Sequence, residues 1–314
     1  ERAPFPDPEA DPIGHLAVVH SHPRWLVERW VARYGRDEGA RLLEADNAEP
    51  SVTVRPNLLR ATTEEILAAL REEGLSPEPG PNGGPVFVLR GGFVAGRSRL
   101  FREGLLSLQD EAESMVVRIL DPKPGESVLD LCAAPGGKSA QIAEAVSPGG
   151  RVFALERHLS RARALRQNMI GRLRLSLVHV TCADGARPPF RGPFDRVLVD
   201  APCSGLGVLG RRADARWRKE VATIGAMAAL QRPLIASAAG LIRSGGTLVY
   251  SVCSLEPEET TGVVEPFLRE HSQFTMDDAN RYLPPAFRSG EAAFRAAPHR
   301  HGTDGVYAAR LIRR

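Results

Sequence analysis

The chain has 314 residues, 43% of them hydrophobic, a formal net charge of +3 and four cysteines. That is enough apolar material to bury a large core unaided, which excludes a small domain dependent on disulfides or a structural metal. Cys132, Cys182, Cys203 and Cys253 have no C-x-x-C spacing and no histidine at ligand spacing, which argues against a metal site and fits a reducing cytoplasm.

No apolar run approaches the roughly 20 residues of a membrane span. The start, Glu1-Arg2-Ala3-Pro4-Phe5-Pro6, has neither a basic n-region nor an apolar h-region, so no export signal is expected and a soluble cytoplasmic protein is. A first residue other than methionine predicts a processed chain or part of a longer one. Charge is uneven: residues 1–104 carry 13 arginines against 16 carboxylates, and the positive excess lies in the remainder.

Residues 1–20, with four prolines among acids, read as a linker. Helical spacing of Trp25, Leu26, Val27, Trp30, Val31 and Tyr34 then predicts one or two helices between His22 and Glu44. Ser51–Arg55 alternates as a strand, Thr63–Glu73 reads as a capped helix and Pro85–Leu89 as a second strand, with a Gly/Pro-rich separator at 77–85. Residues 21–104 therefore form a small N-terminal helical and α+β subdomain. It either presents a sheet face to RNA or serves packing alone.

From 105 to 314, apolar strands alternate with helices. Strands are expected at 127–131, 151–155, 175–180, 196–200 and 247–251, and a last, antiparallel one at 305–311, with helices at 140–146, 159–169 and 223–241. This pattern predicts an α/β fold with a mostly parallel sheet covered on both faces.

Two cysteines end strands. Cys203 lies in Val199-Asp200-Ala201-Pro202-Cys203-Ser204-Gly205, and Cys253 in Tyr250-Ser251-Val252-Cys253-Ser254. The carboxyl edge of an open α/β sheet is where ligands gather, so two thiols there imply covalent chemistry. After the first strand, Asp130-Leu131-Cys132-Ala133-Ala134-Pro135-Gly136-Gly137-Lys138 has small residues that admit a ligand to the backbone, while helix amides and Lys138 are expected to attract an anionic group. It is neither a dinucleotide fingerprint nor a P-loop, which disfavours a nicotinamide oxidoreductase. Carboxylates at four successive strand ends, Asp130, Glu156, Asp184 and Asp200, suit a ribose-bearing cationic ligand such as S-adenosylmethionine. Arg211, Arg212, Arg216, Arg218 and Lys219, with Trp217 among them, have the make-up of a nucleic-acid contact or of a solvated helix start.

With Leu129–Lys138, Asp200–Gly205 and Cys253-Ser254 in view, the sequence resembles the NOL1/NOP2/Sun family of RNA 5-methylcytosine methyltransferases over nearly its whole length. His22-Pro23-Arg24-Trp25-Leu26, Ser107–Ala112 and His301–Tyr307 resemble its bacterial small-subunit ribosomal branch, the Sun/Fmu type. The resemblance implies a Rossmann-like class I methyltransferase with a seven-stranded sheet, acting as a monomer on RNA without a metal. It assigns S-adenosylmethionine to Cys132, Ala133, Ala134, Pro135, Gly136, Gly137, Lys138, Glu156, Asp184 and Asp200. It makes Cys253 the nucleophile toward cytosine carbon 6, Asp200 a protonated acid at ring nitrogen 3 whose pKa burial should raise, and Cys203 the group that releases the product. Arg211, Arg212, Arg216 and Lys219 would hold RNA phosphates. Cys132 and Cys182 are expected to be inert apart from the former's place in the cofactor loop. Transfer RNA as substrate, or a catalytically silent ribosome-assembly protein, are the alternatives.

Three departures stand out. Val252 replaces the family's threonine before the second cysteine, and Arg212–Trp217 lacks the family's proline. Of the branch's N-terminal NusB-like domain, the chain is expected to hold at most the exit linker.

Overall fold

The computed structural model describes residues 5–90 and 92–314; residues 1–4 of the expected lead-in and Gly91 lie outside them. Within the stretch read as a linker, α1 (Pro12–Val19) is a helix, started by Asp11 accepting from Gly14 N at 2.9 Å. It packs with α2 (Arg24–Tyr34) and α3 (Arg36–Ala45) around Leu16, Leu26, Val27, Trp30, Leu42 and Leu43. The same core contains Leu206, Leu209 and Leu255, residues that follow the two strand-end cysteines. The N-terminal helices thus brace the loops that carry the thiols.

Next come β1 (Val52–Pro56), α4 (Thr63–Glu72), β2 (Ser76–Pro79), β3 (Phe87–Arg90), α5 (Arg99–Arg102) and β4 (Leu106–Leu108). They form an antiparallel sheet in the order β2-β3-β1-β4. Thr62 and Glu65 close a capping box on α4, as the sequence spacing predicts. The expected Gly/Pro separator holds β2, an edge strand, the position where prolines at 77 and 79 remove no central ladder bond. The opposite edge, β4, lies just past residue 104 and pairs with β1.

The larger sheet follows α6 (Glu111–Leu120). Its elements are β5 (Ser127–Asp130), α7 (Gly137–Val146), β6 (Arg151–Glu156), α8 (Leu159–Arg166), β7 (Val178–Cys182), β8 (Phe194–Asp200), α9 (Val221–Ala239), β9 (Ile242–Val252), α10 (Thr261–Glu270), β10 (Phe274–Asp277), β11 (Phe294–Ala296), α11 (Pro298–His301) and β12 (Val306–Arg313). The strand order is β10-β12-β9-β8-β5-β6-β7, with β11 also paired to β12. From β9 to β7 every pairing is parallel, while β12 runs antiparallel to β9. The expected seven-stranded, mostly parallel sheet is present, with β11 as an addition. Helices cover both faces over two apolar clusters.

Two expectations need correction. The third parallel strand begins at Val178 rather than 175, because Leu175 N bonds Met169 O and ends a wide helical turn at 167–172. The 19-residue α9 is apolar and long enough to cross a membrane by length and composition. Its Ala228, Leu234, Ile235 and Ala238 pack on the sheet instead, so its composition reflects the face it covers.

The chain leaves β5 toward β6 and β7, then returns to place β8 on the other side of β5. This reversal opens a crevice at the carboxyl ends of β5 and β8, where open α/β sheets bind ligands.

Candidate active site

Register sets the site. Asp200 pairs with Ser251 across the parallel β8–β9 ladder, so the chains that continue to Cys203 and Cys253 leave the sheet level with each other. Their sulfurs lie 3.1 Å apart, both half-buried. Behind them, the hydroxyl oxygens of Ser204 and Ser254 lie 3.2 Å apart. The neighbouring Cys203 and burial push the Cys253 thiol well up, so it stays protonated until a base takes its proton.

At the end of β8, Asp200 Oδ1 accepts from Ser251 Oγ at 2.7 Å, and Oδ2 accepts from Lys138 Nζ at 2.8 Å. Lys138 also pairs with Glu113. This corrects two expectations. Lys138 does not face out toward an anionic ligand, because two carboxylates hold its ammonium. Asp200 is part-exposed and has a cation as its partner, where burial against an apolar wall was expected.

The loop after β5 packs tightly against the buried side chains of Leu165 and Met169. Gly136, at φ +108°, precedes α7, and a Cβ there would meet Met169 Cε at 2.6 Å and Leu165 Cδ1 at 2.7 Å. Asp130 is buried and accepts from Ser139 Oγ at 2.6 Å; burial raises its carboxyl to about 7, and its Oδ1 has no partner. Glu156 is buried at the end of β6 and accepts from His158 N at 2.8 Å, while exposed Asp184 follows β7 and accepts from Ala186 N at 3.0 Å. Asp130, Glu156, Asp184 and Asp200 thus follow four adjacent strands. Burial drives the Cys132 thiol far up, as suits an inert cysteine.

Two arginines expected on RNA are held by partners within the chain, Arg216 buried and Arg211 exposed at the surface. Arg216 is buried and donates to Asn47 Oδ1 at 2.7 Å, Asp46 O at 3.1 Å and Ser21 O at 3.2 Å. Arg211 bridges Asp110 at 3.0 Å and Asp304 at 2.8 Å, and donates to Ser51 O. Both therefore join segments distant in sequence. Arg212 and Lys219 form no ion pair among the described residues, and they line an open groove of about 570 Å³ with Arg211, Asp214 and Arg218 beside exposed Trp217. Val252 is fully buried in the apolar cluster, where a methyl in place of a hydroxyl leaves no unpaired polar group.

Sequence reasoning missed the frame around the thiols. Trp30 Nε1 donates to Glu256 Oε1 at 2.9 Å, Arg29 pairs with Glu256 at 2.6 Å, and Arg33 donates to Leu255 O. Helix α2 thereby holds the segment after Cys253. Glu259 and Gln231 were missed too; the acid-rich turn Glu256-Pro257-Glu258-Glu259 was the signal available, and it reads as surface.

The geometry agrees with comparisons to known proteins. The family described as 16S rRNA methyltransferase RsmB/F matches residues 117–312, and the one described as Methyltr_RsmF/B-like, ferredoxin-like domain matches residues 22–92. The Bacillus subtilis protein named "Probable ribosomal RNA small subunit methyltransferase B" is 37% identical over 98% of this chain and 70% of its own length. Ribosomal RNA small subunit methyltransferase B of Serratia proteamaculans is 33% identical over 93% of this chain and 66% of its own. Among solved structures, PH0851 has a TM-score of 0.91 at 33% identity, covering 100% of this chain and 70% of that one. NSun6 from Pyrococcus horikoshii, solved with SFG, has a TM-score of 0.83 at 21% identity, covering 94% of this chain and 99% of that one, a likeness of fold. With the matched residues spanning well over half its length, this chain belongs to the 16S rRNA methyltransferase RsmB/F family.

Proposed function

We propose that this protein transfers a methyl group from S-adenosylmethionine to carbon 5 of a cytosine in small-subunit ribosomal RNA, through a covalent bond from Cys253 to carbon 6. One observation carries the reading: two thiols 3.1 Å apart at the ends of adjacent parallel strands, beside an Asp200–Lys138 ion pair. Family membership supports the reaction class.

The residues at the crevice fit the cofactor. Asp130 keeps an unpartnered buried oxygen, and carboxylates end or follow four neighbouring strands, a set of acceptors for hydroxyls and of partners for positive charge. The backbone from Cys132 to Gly137, with Glu156 and Asp184, would hold it, and Asp200 would border it through its ion pair with Lys138. Bound there, S-adenosylmethionine supplies an electrophilic methyl group.

The chain's own residues make the base reactive. Cytosine carbon 5 is a weak nucleophile until a thiolate adds at carbon 6 and breaks the ring's conjugation. Cys253 makes that bond. Asp200 carries a proton to ring nitrogen 3 and neutralises the negative charge that develops there as Cys253 adds, and Lys138, 2.8 Å away, compensates the carboxylate once that proton is given up. Cys203 then takes the proton from carbon 5, and the carbon 6–sulfur bond breaks to return Cys253 as thiolate. The target base must leave its stack to reach the thiols. Arg212 and Lys219 steer the flanking phosphates along the groove beside Trp217.

The test separates the two sulfurs. Cys253→Ser should abolish both methyl transfer and adduct, whereas Cys203→Ala should accumulate a denaturant-stable RNA–protein complex. Identical behaviour of the two variants refutes the division of labour. Bisulfite sequencing of ribosomal and transfer RNA treated with the protein names the substrate. No labelled methyl in either RNA favours a silent assembly factor.

A further inference from the structure

The two thiols come from turns on different strands, and each turn is anchored at the residue after its cysteine. Ser204 follows Cys203, and Ser254 follows Cys253. Both reach one carboxylate. Glu259 Oε1 accepts from Ser204 N at 2.7 Å and from Gln231 Nε2 at 3.0 Å, while Oε2 accepts from the hydroxyls of Ser204 and Ser254, each at 2.5 Å. Gln231, on α9, also donates to Pro202 O at 2.9 Å, so Cys203 is held on both sides. Tyr250 OH, from β9, donates to Glu259 O at 2.7 Å.

Glu259 is fully buried, and its four partners are neutral donors with no cation among them. A buried carboxylate is costly unless its hydrogen bonds are complete. Here three of the four come from the two cysteine-bearing turns and the fourth from Gln231. Ser204 and Ser254 are 50 residues apart, so neither strand alone fixes the spacing of the sulfurs.

We propose that Glu259 is the positioning residue for both thiols: its carboxylate locks the turn after each cysteine and thereby sets the distance between the sulfurs. This rests on the covalent reading of the site for its catalytic meaning, but the geometric claim can be tested without RNA. A trivalent arsenical, phenylarsine oxide, condenses with two thiols at once, forming two arsenic–sulfur bonds and releasing water with no change of oxidation state. Capture therefore reports the proximity of Cys203 and Cys253, with Cys203→Ser as the blank.

The experiment compares wild type, Glu259→Ala and Glu259→Gln in arsenical capture by intact mass, and in methyl transfer from labelled cofactor. Glu259→Ala should lose capture and drop kcat about 100-fold, the cost of misplacing reacting groups by roughly 1 Å. KM for the cofactor should stay unchanged, because none of Glu259's hydrogen bonds reaches the loop after β5. Glu259→Gln should recover most of both, since its carbonyl can accept where Oε1 does and its amide can donate to two hydroxyls that also accept. If Glu259→Ala does not fold, the Ser204→Ala/Ser254→Ala double variant, which removes the two hydroxyl donors, should weaken capture in the same direction.

Wild-type capture and turnover in Glu259→Ala, or in the double variant where the alanine variant is unfolded, overturns the proposal. So does the absence of capture in wild type. Loss of capture in Glu259→Ala together with no cytosine methylation by wild type supports the positioning role and removes the catalytic reading instead.

Discussion

Arg216→Ala separates an internal tether from an RNA contact. Arg216 donates to Asn47 Oδ1, Asp46 O and Ser21 O, lies 3.3 Å from His22 Nδ1, and is only 3% exposed. Truncation leaves three acceptors facing a void. Each orphaned acceptor costs about 1–3 kcal/mol before relaxation, so with partial hydration the loss should be about 3–5 kcal/mol. That is a large share of the roughly 5–15 kcal/mol that holds a domain together. Urea unfolding followed by circular dichroism reads it directly. Arg212→Ala is the control: with an exposed side chain, it should shift stability by no more than about 0.5 kcal/mol. In RNA-binding titrations it should lower the slope of log affinity against log salt by about 0.7, the value for one phosphate contact on a single strand. An Arg216→Ala variant with wild-type urea stability and a reduced salt slope would refute the reasoning, since it would place the guanidinium on RNA.

Three further outcomes follow from the site. Asp130 rises from 3.8 to about 7 because it is buried, so the folded state holds this proton more tightly than the unfolded one. Its contribution is present at low pH and is lost as pH climbs from about 4 to about 7. Relative to Asp130→Asn, wild type should lose about 1.4 kcal/mol per pH unit across that window in urea unfolding; parallel pH profiles would contradict the burial argument. Because the Cys253 thiol is pushed up, the thiolate fraction and the single-turnover methyl-transfer rate should rise about tenfold per pH unit between pH 7 and 8, and a flat profile would mean that the thiol is activated by other means. Gly136→Ala forces a side chain into a positive-φ site and against Met169 and Leu165. Calorimetric titration should show cofactor affinity falling by about 5- to 150-fold, the equivalent of 1–3 kcal/mol of strain; unchanged affinity would remove this turn from the proposed cofactor site.

Much of the molecule was legible in sequence because it is local. Alternating apolar strands and helices specify a parallel sheet, and the small residues from Cys132 to Gly137 mark a ligand turn at its edge. Cys203 and Cys253 could both be placed at strand ends from their neighbours alone. Short strands gave no such signal: β10 and β11 are three or four residues long, too short for periodicity to distinguish them from loops, and they exist because β12 offers its edges. Helix α1 was hidden by the prolines around it, one of which, Pro12, occupies the first helical turn, where a missing N–H costs nothing.

Composition and spacing established the sheet, the glycine-rich turn after β5 and the strand-end position of the two cysteines, since each depends on residues a few positions apart. Tertiary structure alone decided which charges are free. Arg216 and Arg211 look like Arg212 in sequence, but their partners lie on other segments, as far as 195 residues away for Arg216 and Ser21. It alone also set the 3.1 Å between sulfurs, through β8–β9 register and the buried carboxylate of Glu259. Burial and pairing are properties of neighbours in space, and a one-dimensional pattern carries no record of which distant residue a side chain will meet.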